Sequence, residues 1–280
     1  MSTVRPTRRT LLALAAGLTA SATLAACGGD ESTGGSASGG DSKTLKVGVN
    51  PVPHGEILTF VKENLAQEAG LDIEVVEFTD YVQPNAALDA GDLDANYFQH
   101  QPYLDEQKKA AGYDFVSLGA VHLEPLGVYS ETVKDLKELS GDSKVAIPND
   151  PSNAGRALKL LAEHGVLELE DTGDIAPTVA DVKDGGPEVV ELEAAQLPRS
   201  LGDVDAAVIN GNYAIEADLS PVDDSLALEK AEGNPYANLL VVRSEDAENE
   251  QLTKLAELLR SDETKKFIKD KYAGTVIPAE

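Results

Sequence analysis

Residues 92–104 read DLDANYFQHQPYL, and this stretch gathers side chains that the rest of the chain uses sparingly. The chain has eight Tyr, five Phe and no Trp, and Tyr81, Tyr97, Phe98, Tyr103, Tyr113 and Phe115 all fall between 81 and 115. Aromatics mixed with His100 and several amides, in a segment that reads as turn-rich, suit a recess that is apolar with a few polar handles. They suit a local core equally, because aromatics carry much of core burial. Both readings stand until the flanking elements are placed.

Outward from that stretch, strands and helices alternate. Residues 45–49 (LKVGV) alternate well enough for a strand, and NPVP at 50–53 breaks it. A helical pattern from about His54 puts Ile57, Leu58, Val61 and Leu65 on one face, and Gly70 stops it. Residues 71–78 form a second strand pattern, 81–88 a short helix, 102–111 another helix and 115–123 a further strand. Such alternation predicts a mostly parallel sheet with helices on its faces. EPLG at 124–127 interrupts the pattern and suggests a crossing into a second lobe. There the spacing predicts strands at 144–147, 188–192 and 204–209, with helices over 151–164, 195–201 and 213–217. Residues 239–242 read as a strand that returns to the first lobe, and two amphipathic helices (247–260 and 263–272) finish the chain. Residues 166–187, rich in Gly, Asp and Pro, receive no assignment.

The beginning of the chain has a different character. Arg5, Arg8 and Arg9 precede sixteen uncharged residues, 11–26, and then Cys27-Gly28-Gly29. A basic, then apolar, then small-residue order is that of an export signal, and the apolar run is short of the roughly 20 residues of a spanning helix. LAAC at 24–27 resembles the bacterial lipobox, which implies cleavage after residue 26 and diacylation of Cys27. Two acyl chains anchor stably where one does not. The pair Arg8-Arg9 also resembles a twin-arginine export motif. Residues 27–43, dominated by Gly, Ser, Asp and Thr, have the composition of a flexible tether. The expectation is a globular domain lipid-anchored to the cell membrane on its extracytoplasmic face.

Charge and motif content exclude several functions. A formal charge of −26 disfavours phosphate backbones, so nucleic acid is not expected as a partner. The single Cys makes no internal disulfide. There is no Gly-x-Ser-x-Gly, no phosphate-cradling Gly-x-x-x-x-Gly-Lys loop and no local pattern that links Ser to His, so no enzyme is expected. His54, His100, His122 and His164 share no ligand spacing, and no metal or cofactor is expected. The sharpest single element is IPNDPSNAGR at 147–156, a strand that runs into a helix opened by Asp150-Pro151-Ser152. Free N–H groups and the helix dipole at such a start favour an anion. Asn153 and Arg156 lie three apart on one face, and Arg can hold a carboxylate through two parallel hydrogen bonds.

Taken together, VNPVPHGEIL (49–58), TDYVQPN (79–85), LDANYFQHQPYL (93–104), LEPLG (123–127), IPNDPSNAGRAL (147–158), INGNYA (209–214) and NPYANL (234–239) resemble the NlpA/MetQ family of lipoproteins. These are substrate-binding components of methionine-uptake ABC transporters. The resemblance covers essentially the whole chain beyond the signal. It implies an α/β, two-lobed periplasmic-binding-protein fold, type II-like, with the ligand in the cleft between lobes. Residues 44–124 and 237–280 would form lobe 1 and residues 125–236 lobe 2. It further implies a monomer that captures L-methionine and delivers it to a membrane permease driven by a separate ATPase. Tyr81, Phe98, His100 and Tyr103 would enclose the methionine side chain. Arg156 would take the α-carboxylate with Asn153 beside it, and Asn210 and Asn238 would hydrogen-bond the ligand's backbone groups. D-methionine, methionine sulfoxide, a methionine-containing dipeptide, or a captured metal are the alternative cargoes. Tyr97, Tyr113 and Phe115 would stay as packing.

Overall fold

The computed structural model describes residues 44–280. The signal segment, Cys27 and the tether expected over 1–43 lie outside the described residues.

The chain opens with β1 (Leu45–Val49), whose Val47 and Val49 are fully buried, followed by a wide helical turn at Pro51–Gly55 and α1 (Glu56–Asn64). Two βα units follow: β2 (Ile73–Glu77) with α2 (Gln83–Asp89), and β3 (Ala95–His100) with α3 (Gln101–Ala111). The stretch that reads as turn-rich is therefore a strand, and all six residues of β3 are buried. Its composition misleads because amides and His pay for burial with hydrogen bonds here. Asn96 and Gln99 bond each other and Asn85 at 2.7–2.9 Å inside the fold. After β4 (Phe115–Leu123) the chain crosses through 124–126 to a second sheet.

That sheet collects β5 (Gly127–Tyr129), β6 (Lys144–Pro148), β7 (Glu188–Leu192), β8 (Ala206–Ile209) and β9 (Ala227–Leu228), in the order β7-β6-β8-β5-β9. Between them lie α4 (Pro151–Glu163), α5 (Leu197–Ser200) and α6 (Gly211–Glu216). The chain then returns through β10 (Asn238–Arg243), α7 (Glu250–Leu259), α8 (Asp262–Tyr272) and β11 (Ile277–Pro278). The first sheet runs β11-β4-β10-β3-β1-β2. It is mixed: β1 pairs in parallel with β2 and β3, whereas β10 enters antiparallel between β3 and β4. A strand arriving from the other sheet after a long excursion has no crossover helix of its own to fix a parallel direction.

Each sheet has its own apolar core. Leu45, Val47, Ile57, Leu58 and Val61 pack with Leu240, Leu252, Leu255 and Ile268 in the first. Val128, Val145, Ile147, Leu158, Leu161 and Val208 pack in the second. Residues 166–187 hold a single helical turn at Val179–Asp181 and an isolated bridge from Leu169 to Val182. No helix among the described residues is long and apolar enough to cross a membrane.

Candidate functional site

The C-terminal end of β3, the crossing at Glu124, the first turns of α4 and α6, and the start of β10 meet around a recess. It is lined by Tyr81, Phe98, His100, Tyr103, Asn153, Arg156, Asn210 and Asn238, together with His54, Gln99, Glu124, Gly211 and Asn212. All eight residues singled out from sequence thus share one cavity, although they come from the segments of both sheets and are spread from Tyr81 to Asn238.

One wall is aromatic. Tyr81 lies 6.0 Å from Phe98 and from Tyr103, ring centre to ring centre, and 5.0 Å from Tyr213. Its hydroxyl donates to Asn212 Oδ1 at 2.5 Å, and Tyr103 Oη donates to the Tyr81 carbonyl at 2.9 Å. Burial pushes both phenols well above their ordinary range, so they stay neutral donors.

Asn153 is the polar hub. Its Oδ1 accepts from His100 Nε2 at 3.1 Å and from Asn210 Nδ2 at 3.0 Å, while its Nδ2 donates to Asp150 at 2.9 Å. His100 caps α3 by accepting the Tyr103 N–H on Nδ1, which leaves Nε2 as its donor. Burial, and then the nearby Arg156 charge, lower the His100 pKa to about 3, so the ring is neutral at physiological pH.

The helix start itself is not an open anion site. Asp150 Oδ1 accepts the Asn153 N–H at 2.9 Å and the Asn153 side-chain amide at the same distance. The expectation that this helix start would hold an anion fails because the chain's own Asp150 carboxylate already caps it. Arg156, two turns into the fold's interior and 5% exposed, is the remaining cationic donor. Glu229 receives its Nε at 2.9 Å and also its Nη2, which donates to the Glu124 carbonyl at 3.0 Å as well. The Tyr236 ring centre lies 4.2 Å from its Cζ.

Glu124, 5% exposed, lines the same recess. His122 Nε2 donates to its Oε1 at 2.7 Å, and Tyr97 Oη donates to His122 Nδ1 behind. His54 Nε2 stands 3.2 Å from the same oxygen without the alignment of a hydrogen bond. Burial raises the Glu124 pKa, opposed by His54, the Asn212 N–H and Arg156; burial lowers His54 to about 4 and His122 to about 3. The ligating atoms of His54, His122 and Glu124 lie within 4.8 Å of one another, so these three are the described residues best placed to hold a metal ion. The relay Tyr97–His122–Glu124 also pairs both nitrogens of His122 without one. A Cβ on Gly211 would stand 2.8 Å from Glu124 Cβ, so this close approach of α6 requires glycine.

Sequence reasoning did not assign Glu124, His54, His122, Asn212, Glu229 or Tyr236 to the site. His54, Glu124, Asn212 and Tyr236 lie inside the quoted segments, but the pattern reads His54 as a helix start and Glu124 as a chain crossing, and gives Asn212 and Tyr236 no role.

This arrangement can hold a small ligand bearing both charges beside an apolar chain. Comparison with known proteins agrees in family and fold. The model of the NlpA lipoprotein family matches residues 45–280. The chain belongs to the NlpA lipoprotein family. It is 42% identical over 250 residues to the D-methionine-binding lipoprotein MetQ of Escherichia coli K12, covering 88% of this chain and 89% of that one. Among solved structures, a nutrient-binding protein of Burkholderia cenocepacia bound to methionine is 48% identical with a TM-score of 0.81, over 85% of this chain and 100% of that one. The crystal structure of the methionine-binding protein MetQ is 40% identical with a TM-score of 0.79, over 84% and 98% of the two chains. The family member described here has the same mixed α/β, two-lobed periplasmic-binding-protein fold, and its recess lies between the lobes.

Proposed function

We propose that this lipoprotein is the extracytoplasmic substrate-binding component of an ABC importer and that it captures methionine. The observation that carries the reading is that a buried Arg156 and a buried Glu124 line one recess with an aromatic wall. The relatives named above as binding methionine or D-methionine support it. The α-carboxylate meets Arg156 Nη1, and the α-ammonium meets Glu124 and the Asn210 Oδ1, a buried acceptor with no partner among the described residues. Asn238, whose Nδ2 stands 3.4 Å from Glu124 Oε1, completes this polar end. Tyr81, Phe98, His100 and Tyr103 take the thioether chain. Asn153, whose polar atoms are already engaged, acts by fixing His100 and Asn210.

Burying the thioether chain contributes roughly 1.5–3 kcal/mol, sulfur–aromatic contacts about 0.3–1.5 kcal/mol each and hydrogen bonds to charged groups about 1.5–3 kcal/mol each. After ordering costs, micromolar or tighter binding, about −8 kcal/mol, is within reach. The protein performs no catalysis. Residues 44–124 and 237–280 form one lobe and 125–236 the other. Their closure over the ligand marks the loaded state for a permease with its ATPase. Residues 1–26 are removed, Cys27 carries the lipid anchor and residues 27–43 are the tether.

Calorimetry on protein refolded free of trapped ligand tests the cargo against L-methionine, D-methionine, its sulfoxide, a methionine dipeptide and Zn2+. Saturable binding of L-methionine is expected. Preference for the D form would select the alternative named in the relatives. Binding of Zn2+ alone would favour metal capture through His54, His122 and Glu124. Cys27→Ser should release the protein to the soluble fraction, and continued membrane retention would reject the anchor.

A further inference from the structure

Arg156 has five N–H donors. Nε and Nη2 are committed to Glu229 and to the Glu124 carbonyl, and the two donors on Nη1 carry no hydrogen bond among the described residues. Glu229 is itself held in place. The Leu126 N–H donates to its Oε2 at 3.3 Å, and its own N–H donates to the Leu126 carbonyl at 2.9 Å. This carboxylate grips the guanidinium without itself lining the recess, its side chain 15% exposed against 4% for that of Arg156. Both partners lie on the second sheet's side of the chain, on α4 and just past β9, so the pair does not depend on the lobes meeting.

We infer that Glu229 is a specificity-determining residue: it cancels the Arg156 charge, so that the site accepts zwitterions and rejects ligands that carry only a carboxylate. This rests on the amino-acid reading proposed above. With the Arg156–Glu229 pair neutral, Glu124 is the uncompensated charge facing the recess. An isolated anion then meets a donor edge whose charge is spent and, in the same recess, the Glu124 carboxylate. An isolated ammonium meets Glu124 alone. Charge, rather than hydrogen-bond count, therefore sets the ranking of single-charge analogues, because Nη1 is present for the anion in either case.

The test measures binding of methionine, methioninol (ammonium only) and 4-(methylthio)butanoate (carboxylate only) to the full folded domain. Methionine with the wild type comes first; its failure to bind would overturn the underlying reading and this inference with it. Given that binding, the wild type should prefer methioninol to 4-(methylthio)butanoate by at least tenfold, and the reverse order overturns the role of Glu229 alone. Glu229→Gln should shift that ratio at least tenfold toward the carboxylate ligand, and Glu229→Asp, which keeps the charge, should leave it near the wild-type value. A merely structural loss weakens both analogues together, so a ratio unmoved in Glu229→Gln overturns the inference. If Glu229→Gln does not fold, the wild-type ranking decides.

Discussion

Acidification should destabilise the protein through His100, by an amount that the structure sets. Burial and the neighbouring Arg156 hold its folded pKa at about 3, against an unfolded value of 6.5. The depressed folded pKa means that the unfolded chain binds the proton first. Stability conferred by the neutral ring is therefore complete above pH 6.5 and is lost as pH falls from there toward about 3. Between pH 7 and 5 the unfolded His goes from mostly neutral to nearly all protonated while the folded ring stays neutral. At about 1.36 kcal/mol per pH unit, this window removes about 2 kcal/mol. His54 and His122 act in the same direction, whereas Glu124 and Asp150, whose pKa values burial raises, act in the opposite one. A variant separates the share of His100 from these. Asn caps helices well and can accept the Tyr103 N–H that His100 now accepts, so His100→Asn removes the titration with little change to the cap. Urea unfolding of both proteins at pH 7 and pH 5 should show the wild type losing about 2 kcal/mol more than the variant. A difference under about 0.5 kcal/mol, or one of opposite sign, would refute the linkage.

Two further outcomes follow from the same geometry. Arg156→Ala should weaken methionine binding at least tenfold in calorimetry, and an unchanged affinity would sink the carboxylate assignment. Tyr97→Phe strips His122 Nδ1 of its donor in a fully buried position. It should cost about 1–3 kcal/mol in urea unfolding, and a cost near zero would mean that the Tyr97–His122–Glu124 relay carries no stability.

Residues 92–104 show how the two levels of description divide. Composition left the stretch open between core and recess; the family resemblance set Phe98, His100 and Tyr103 apart from Tyr97, and in the fold those three line the recess while Tyr97 is fully buried outside its lining. Yet the same composition suggested turns where β3 runs fully buried. Amide side chains look like loop chemistry in a sequence, and only the partners Asn85, Asn96 and Gln99 make for one another reveal that they are core. The strand–helix order and the break near residue 124 were legible because hydrophobic period and Gly/Pro punctuation are local properties. The anion site at residues 150–153 was legible only as a possibility, because whether a helix start is open depends on which carboxylates reach it. Here Asp150 does.

By itself, then, the sequence determined the alternation of strands and helices, the family and the residues around which a site could form. What tertiary structure alone decided is the electrostatic logic of that site. Glu124 and Glu229 are 2 of 49 acidic residues, and nothing local distinguishes them. Charge is valuable only where it is buried and paired, and that depends on chain segments far apart in sequence, as Arg156 and Glu229 are.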